Sequence, residues 1–220
     1  MSRICLWRPL ALAAGSAALV MSASRPADAQ AQPSEGVYVS ASALADVKRF
    51  SGDPTTNVLD GQSLGGAVTL GASIATRWDV ELGVDIPEAT SNLQPRSVTL
   101  RRSTITLQSR TVNRMVSVAA LVRFRSLPHA RLQLGYLAGV SFLRLHRQFD
   151  TLAPADTPAS LIPKPHESVD YGAAPTVGVD VQIAILAHLS IVPGIHASVF
   201  NLDGVSGVLL RPRVGVRWTF

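Results

Sequence analysis

The sequence predicts an all-β chain: an eight-stranded antiparallel up-and-down transmembrane β-barrel, preceded by a cleaved signal peptide. Three observations predict it. From about residue 36 to the C-terminus, apolar residues recur at nearly every second position, the period of a strand with one apolar face. Tight turns alternate with long, breaker-rich connections, as in a barrel whose two ends meet different surroundings. The one continuous run of apolar and small residues, Leu10–Met21, is shorter than the roughly 20 residues a membrane-crossing helix needs.

Composition narrows the alternatives. The chain has 220 residues, 47% hydrophobic and 16% charged, which excludes a disordered chain or a coiled coil and suits a single domain. Arg3 and Arg8 precede the Leu10–Met21 segment, and Ala27-Asp28-Ala29 follows it as an A-x-A cleavage site. Residues 1–29 are therefore expected to be a signal peptide and 30–220 the barrel domain, with cleavage after Ala31 as the alternative. Cys5, the only cysteine, lies in the leader, so the mature chain is expected to hold no disulfide or thiolate metal site. Losing Arg3, Arg8, Arg25 and Asp28 leaves 17 basic against 14 acidic residues, a net charge of +3 spread along the chain. That balance gives no footprint for nucleic acid.

The strands are expected at 36–47, 64–76, 78–87, 112–125, 130–145, 169–185, 189–200 and 206–220. Turns fall at Thr76-Arg77, Ser126–His129 and Ala187-His188, with a short connection at Leu202–Val205. The long connections, 48–63, 88–111 and 146–168, carry Gly52-Asp53-Pro54, Gln94-Pro95 and the prolines 154, 158, 163 and 165. Within 88–111, Val98–Leu107 alternates weakly and is expected to extend a hairpin above the bilayer.

Face assignment separates a membrane barrel from a soluble one. Trp78, Val80, Leu82, Val84 and Ile86 share one face, opposite Asp79, Glu81, Gly83 and Asp85. Near the C-terminus Val214, Val216, Trp218 and Phe220 oppose Arg213, Gly215, Arg217 and Thr219. The polar face is rich in small residues, as a narrow filled lumen requires. Trp78, Phe124, Trp218 and Phe220 lie on the apolar face near the tight turns, and Phe142 and Tyr171 on it near the long loops. Two aromatic girdles mark an outward apolar face. Isolated charges inside a narrow barrel are costly, so they should pair. Asp79, Glu81, Asp85 and Asp180 are expected to form a lumen ion-pair network with Arg123, Arg125, Arg211, Arg213 and Arg217. Asp170 and Arg131 are placed on the same inward face.

Leader, eight alternating segments and terminal aromatic strand together resemble the small outer-membrane barrels of the OmpA transmembrane-domain, OmpX and opacity-protein type. The resemblance implies a monomer in the cell outer membrane, exported through the periplasm. It implies that Trp218 and Phe220 belong to a C-terminal signal read by the barrel-assembly machinery, and that outer-membrane lipid and lipopolysaccharide surround the barrel. Arg96, Arg101, Arg102, Arg110 and Arg114, set against Glu88, form a basic segment whose guanidinium groups suit lipopolysaccharide phosphates or an acidic partner.

His196 and Ser198 share one strand face, where an imidazole can activate a hydroxyl. The pair is similar to the His-x-Ser of the lipid A 3-O-deacylases, although those have Asn directly after the Ser and a Glu on the next strand. Here Val199 follows Ser198 and the last Glu is Glu167. His129, His146, His166 and His188 match no metal-ligand spacing, and no cofactor motif occurs. The expectation is a non-enzymatic barrel with a polar, plugged lumen and a structural, adhesive or surface-interaction role. An acyl hydrolase built on His196 and Ser198 is the alternative, and a narrow channel the second.

Overall fold

A strand in hydrocarbon must satisfy its backbone N–H and C=O groups on neighbouring strands, and a sheet without edges does this by closing on itself. The computed structural model describes residues 36–51, 60–100, 103–126, 131–155, 157–158, 160, 162–202 and 205–220. The expected signal peptide lies outside them. Nine strands are formed: β1 (Val37–Ser51), β2 (Gly61–Ala75), β3 (Trp78–Pro87), β4 (Thr90–Leu100), β5 (Ser103–Arg125), β6 (Leu132–Leu152), β7 (His166–Ala184), β8 (Leu189–Leu202) and β9 (Val205–Thr219).

Their order is β3-β2-β1-β9-β8-β7-β6-β5-β4, every pairing is antiparallel, and β3 also pairs with β5 from Trp78↔Phe124 to Asp85↔Ser117. That last pairing closes an eight-membered ring. β3 and β4 are one wall position interrupted at Glu88-Ala89: below the break the strand pairs with both β2 and β5, above it with β5. Asp60 anchors the break from the side. It accepts from Phe50 N at 2.7 Å and Arg49 Nη1 at 3.1 Å, and its carbonyl accepts from Asn92 Nδ2 at 2.8 Å.

The expected long connections are shorter than the sequence suggests. Residues 88–111 are largely strand, Val98↔Ile105 lying near the tip of the β4–β5 hairpin, and β6 runs on to Leu152. Polar residues such as Thr106, Gln108, Ser109 and Arg110 fall on both faces of this part of β5. Backbone pairing continues there while the hydrophobic alternation fades, because the outer face is polar and only Ile105 and Leu107 mark the inner one.

The outer face carries Leu70, Leu82, Val84, Val140, Val177 and Val216, all exposed, in one belt around the ring. Trp78, Tyr136, Trp218 and Phe220 are exposed at its turn end, Phe142 and Tyr171 at its loop end. A surface of this kind, flanked by two aromatic rows, is covered by lipid rather than water.

Candidate functional site: the charged lumen

The inward positions of this ring hold two layers of charge. At the turn end, Arg123 is 0% exposed and spans two acids: Nη1 lies 3.1 Å from Asp79, while Nη2 and Nε meet Asp180 at 2.7 and 3.0 Å. Arg125 adds a 3.0 Å contact to the other oxygen of Asp79 and donates to Ser73 Oγ at 3.1 Å. Arg217 donates to Glu81 at 3.0 Å and to Gln182 at 3.0 Å, with its guanidinium 4.1 Å above the Tyr38 ring. The Tyr38 hydroxyl in turn donates to Glu81 at 2.6 Å.

One layer further in, Arg211 reaches Asp46 at 2.7 Å, Asp85 at 2.9 Å and the Met115 carbonyl at 2.8 Å, and also donates to Ser117 Oγ. Arg213 meets Asp85 at 3.2 Å, and Lys48 meets Asp46 at 3.1 Å. Thus the nine charges expected in the ion-pair network line the lumen, each with an opposite charge within ion-pair distance. Asp46, Lys48, Tyr38 and Gln182 join them without having been singled out. The signal was present, since Tyr38, Ser40, Leu44, Asp46 and Lys48 alternate with outward residues along β1.

Two expected positions differ. Arg131 is exposed at the turn end, its Nε donating to the Ala184 carbonyl at 3.3 Å, because β6 begins only at Leu132. Asp170 faces inward but pairs with Arg147, near the loop end and away from the two layers. The lumen is also not polar along its whole length. Above Arg211, Phe50, Met115, Leu143, Leu145, Phe200 and Leu209 form a buried apolar cluster, with Phe50 and Phe200 edge-on at 5.4 Å.

His196 and Ser198 both lie in the lumen, 8% and 5% exposed. Ser198 Oγ bonds Thr176 Oγ1 at 2.8 Å, and Thr176 bonds Ser141 at 2.6 Å, giving a hydroxyl ladder across β8, β7 and β6. The other histidines are dispersed: His146 pairs with Glu167, His166 stacks on Phe149, and His188 meets the Thr219 carbonyl through Nδ1. His129 lies outside the described residues. Among the described residues, no three His, Cys, Asp or Glu converge as a metal site would require. Two internal cavities of about 20 Å³ each lie among the charges, one beside Glu81, His196 and Arg213, the other beside Tyr38, Asp79 and Arg125. Each has room for about one water.

Of the basic segment, Arg101, Arg102 and the side chain of Arg96 lie outside what is described. Arg110 donates to Ser91 Oγ at 3.4 Å and Arg114 to the Pro87 carbonyl at 2.9 Å, both from the outer face. Trp218 and Phe220 are exposed on the outer turn-end rim, and Phe220 N donates to the Val37 carbonyl at 3.0 Å.

No protein-family model and no curated protein matches the sequence. Solved structures do. A major outer membrane protein from Thermus thermophilus superposes with a TM-score of 0.52 at 16% identity, over 84% of this chain and 99% of that one. Neisserial surface protein A superposes with a TM-score of 0.50 at 12% identity, over 84% of this chain and 97% of its own. The fold is that of the small outer-membrane β-barrels. Joined to a lipid-facing exterior bounded by two aromatic rows, it makes this chain an outer-membrane barrel.

Proposed function

We propose that the protein is a non-enzymatic outer-membrane barrel with a closed lumen, acting as a structural element that presents its loop end for surface interaction. The observation that carries the reading is the stacking of three unlike barriers along one narrow bore. The Arg123–Asp79–Asp180 bridge, the Arg211–Asp85–Asp46 bridge and the Phe50–Phe200 cluster succeed one another from turn end to loop end. An ion passing through must break buried, doubly held guanidinium contacts and then cross an apolar stretch, both of which are costly. An eight-stranded ring has an interior only wide enough for side chains in any case.

The acyl-hydrolase alternative draws no support from the geometry. A lipid substrate approaches from the outer face, whereas Ser198 points inward and engages Thr176. The experiment that tests the closed reading is planar-bilayer recording of the full refolded chain. Absence of steady conductance is expected, and a steady open level in every insertion would overturn it in favour of a narrow channel.

A further inference from the structure

The lumen charges are neutralised inside the barrel, but the guanidinium groups of Arg114 and Arg144, on its outer face, are not. Arg144 on β6 is exposed, with Val116 and Tyr171 as its cross-strand neighbours. Arg114 on β5 sits opposite His146, two positions along the ladder from the Val116↔Arg144 pair. Such diagonal neighbours lie about 7–8 Å apart, within mutual reach for long side chains. No carboxylate lies within ion-pair distance of either among the described residues. Arg114 is steered by the bond from its Nε to the Pro87 carbonyl, leaving its terminal nitrogens without a protein partner there. The nearby polar groups are already engaged: His146 with Glu167, and Arg110 with Ser91.

Their height matters as much as their charge. Tyr136, in the turn-end aromatic row, and Arg144 are on the same strand and the same face, eight residues apart. At about 3.3 Å per residue and a tilt of about 40°, that is roughly 20 Å along the barrel axis. Tyr171, level with Arg144 by register, belongs to the opposite aromatic row. The two arginines therefore stand where the apolar belt ends on the loop side, at the head groups of the leaflet facing outward. Beneath them lie Val118 and Phe142, a surface for acyl chains.

We propose that Arg114 and Arg144 form an exterior binding site for a phosphate of the outer-leaflet glycolipid, with its acyl chains laid against Val118 and Phe142. Two adjacent planar forks of like charge, unneutralised by the described residues, match a doubly charged phosphate that can accept bidentate bonds from each. A protein partner fits less well, since the site is at membrane level and opens onto lipid. The site depends on how the barrel sits in the bilayer and not on whether the lumen is closed.

The test uses the full chain in phosphatidylcholine nanodiscs doped in turn with bisphosphorylated lipid A, its dephosphorylated form and phosphatidylglycerol, with retained lipid counted by native mass spectrometry. The wild type is expected to retain the bisphosphorylated glycolipid over the dephosphorylated one by about fivefold or more, and Arg114→Gln/Arg144→Gln to remove that preference. Arg77→Gln, at the turn end, should leave it intact. Equal retention by the wild type and the double variant overturns the site. So does phosphatidylglycerol retained as well as lipid A, since the proposal commits to the glycolipid. Arg144→Gln alone carries the same test should the double variant fail to fold, because the Arg144 side chain holds no part of the described protein.

Discussion

Arg123 on β5 grips both carboxylate oxygens of Asp180 on β7, two strands away, by passing over Gly135 on the strand between them. A Cβ at Gly135 would come within 2.4 Å of Asp180 Oδ1 and 2.5 Å of Arg123 Nε, so the bridge and the glycine imply each other. Replacing Arg123 with Met leaves Asp79 with Arg125 but Asp180 without a cation. We expect Arg123→Met to lower stability by about 3–5 kcal/mol, read from urea unfolding in lipid vesicles. Arg123→Met/Asp180→Leu should recover much of that loss, because the buried charge leaves with its partner. A double variant as unstable as the sum of the two single ones would contradict the coupling.

The apolar cluster above the charges makes a second prediction. Phe200 is buried against Phe50, whereas its neighbour Val199 faces outward. Phe200→Ala should cost about 3–5 kcal/mol through the cavity it leaves. Val199→Ala, which alters only contact with lipid, should cost far less in the same unfolding assay.

Outward parity predicts the response to a charge at mid-height. Leu82 is 54% exposed in the belt, level with Leu70 and Ala120. Leu82→Arg should destabilise the bilayer-inserted protein by about 2–4 kcal/mol. A water-facing wall would tolerate the same arginine, so unchanged folding yield in vesicles would contradict a lipid-facing one.

Gly139 on β6 lies so close to β5 that an added Cβ would stand 2.1 Å from the Ala120 carbonyl oxygen. Backbone cannot rotate aside as a side chain can. Gly139→Ala should therefore prevent formation of the heat-modifiable folded band on gels. Gly66→Ala, whose Cβ would meet nothing nearer than 3.9 Å, should fold normally.

Ser198 supplies one rung of a hydroxyl ladder with Thr176 and Ser141. Its replacement by Ala should cost about 1 kcal/mol of stability. Lipid A from cells expressing the wild type or Ser198→Ala should carry the same acyl chains by mass spectrometry. A chain lost only with the wild type would revive the hydrolase.

Much of the ring is readable in the sequence because each strand has one face in lipid and one in the lumen. Where both conditions hold, as along Trp78–Pro87, strand bounds and side-chain parity both follow. Where they lapse, the reading falters in opposite ways. In Ser103–Thr111 polar residues fall on both faces, and a strand passes for a loop. In Phe142–Leu145 the inward Leu143 and Leu145 adjoin an outward Phe142, so an apolar lumen segment hides beside the belt. For the charges, parity supplies the side of the wall but not the partner. Arg211 meets Asp46 from 165 residues away, and only closure of the ring brings β9 beside β1 and across from β3. The pairing of Arg114 and Arg144 is hidden for the same reason, since cross-strand register is a property of the sheet and not of either segment.

The interruption at Glu88-Ala89 divides the labour of the wall. Below it, β3 and β5 zip shut from Trp78 to Asp85; above it, β4 pairs with β5 and is tied to the β2 side only near its base, where Asn92 meets the Asp60 carbonyl. The hairpin that rises over the rim is thus a pennant on a mast already stepped. It can be lengthened, shortened or exchanged without reopening the hull, so its tip is free to diverge while the part embedded in lipid stays under constraint.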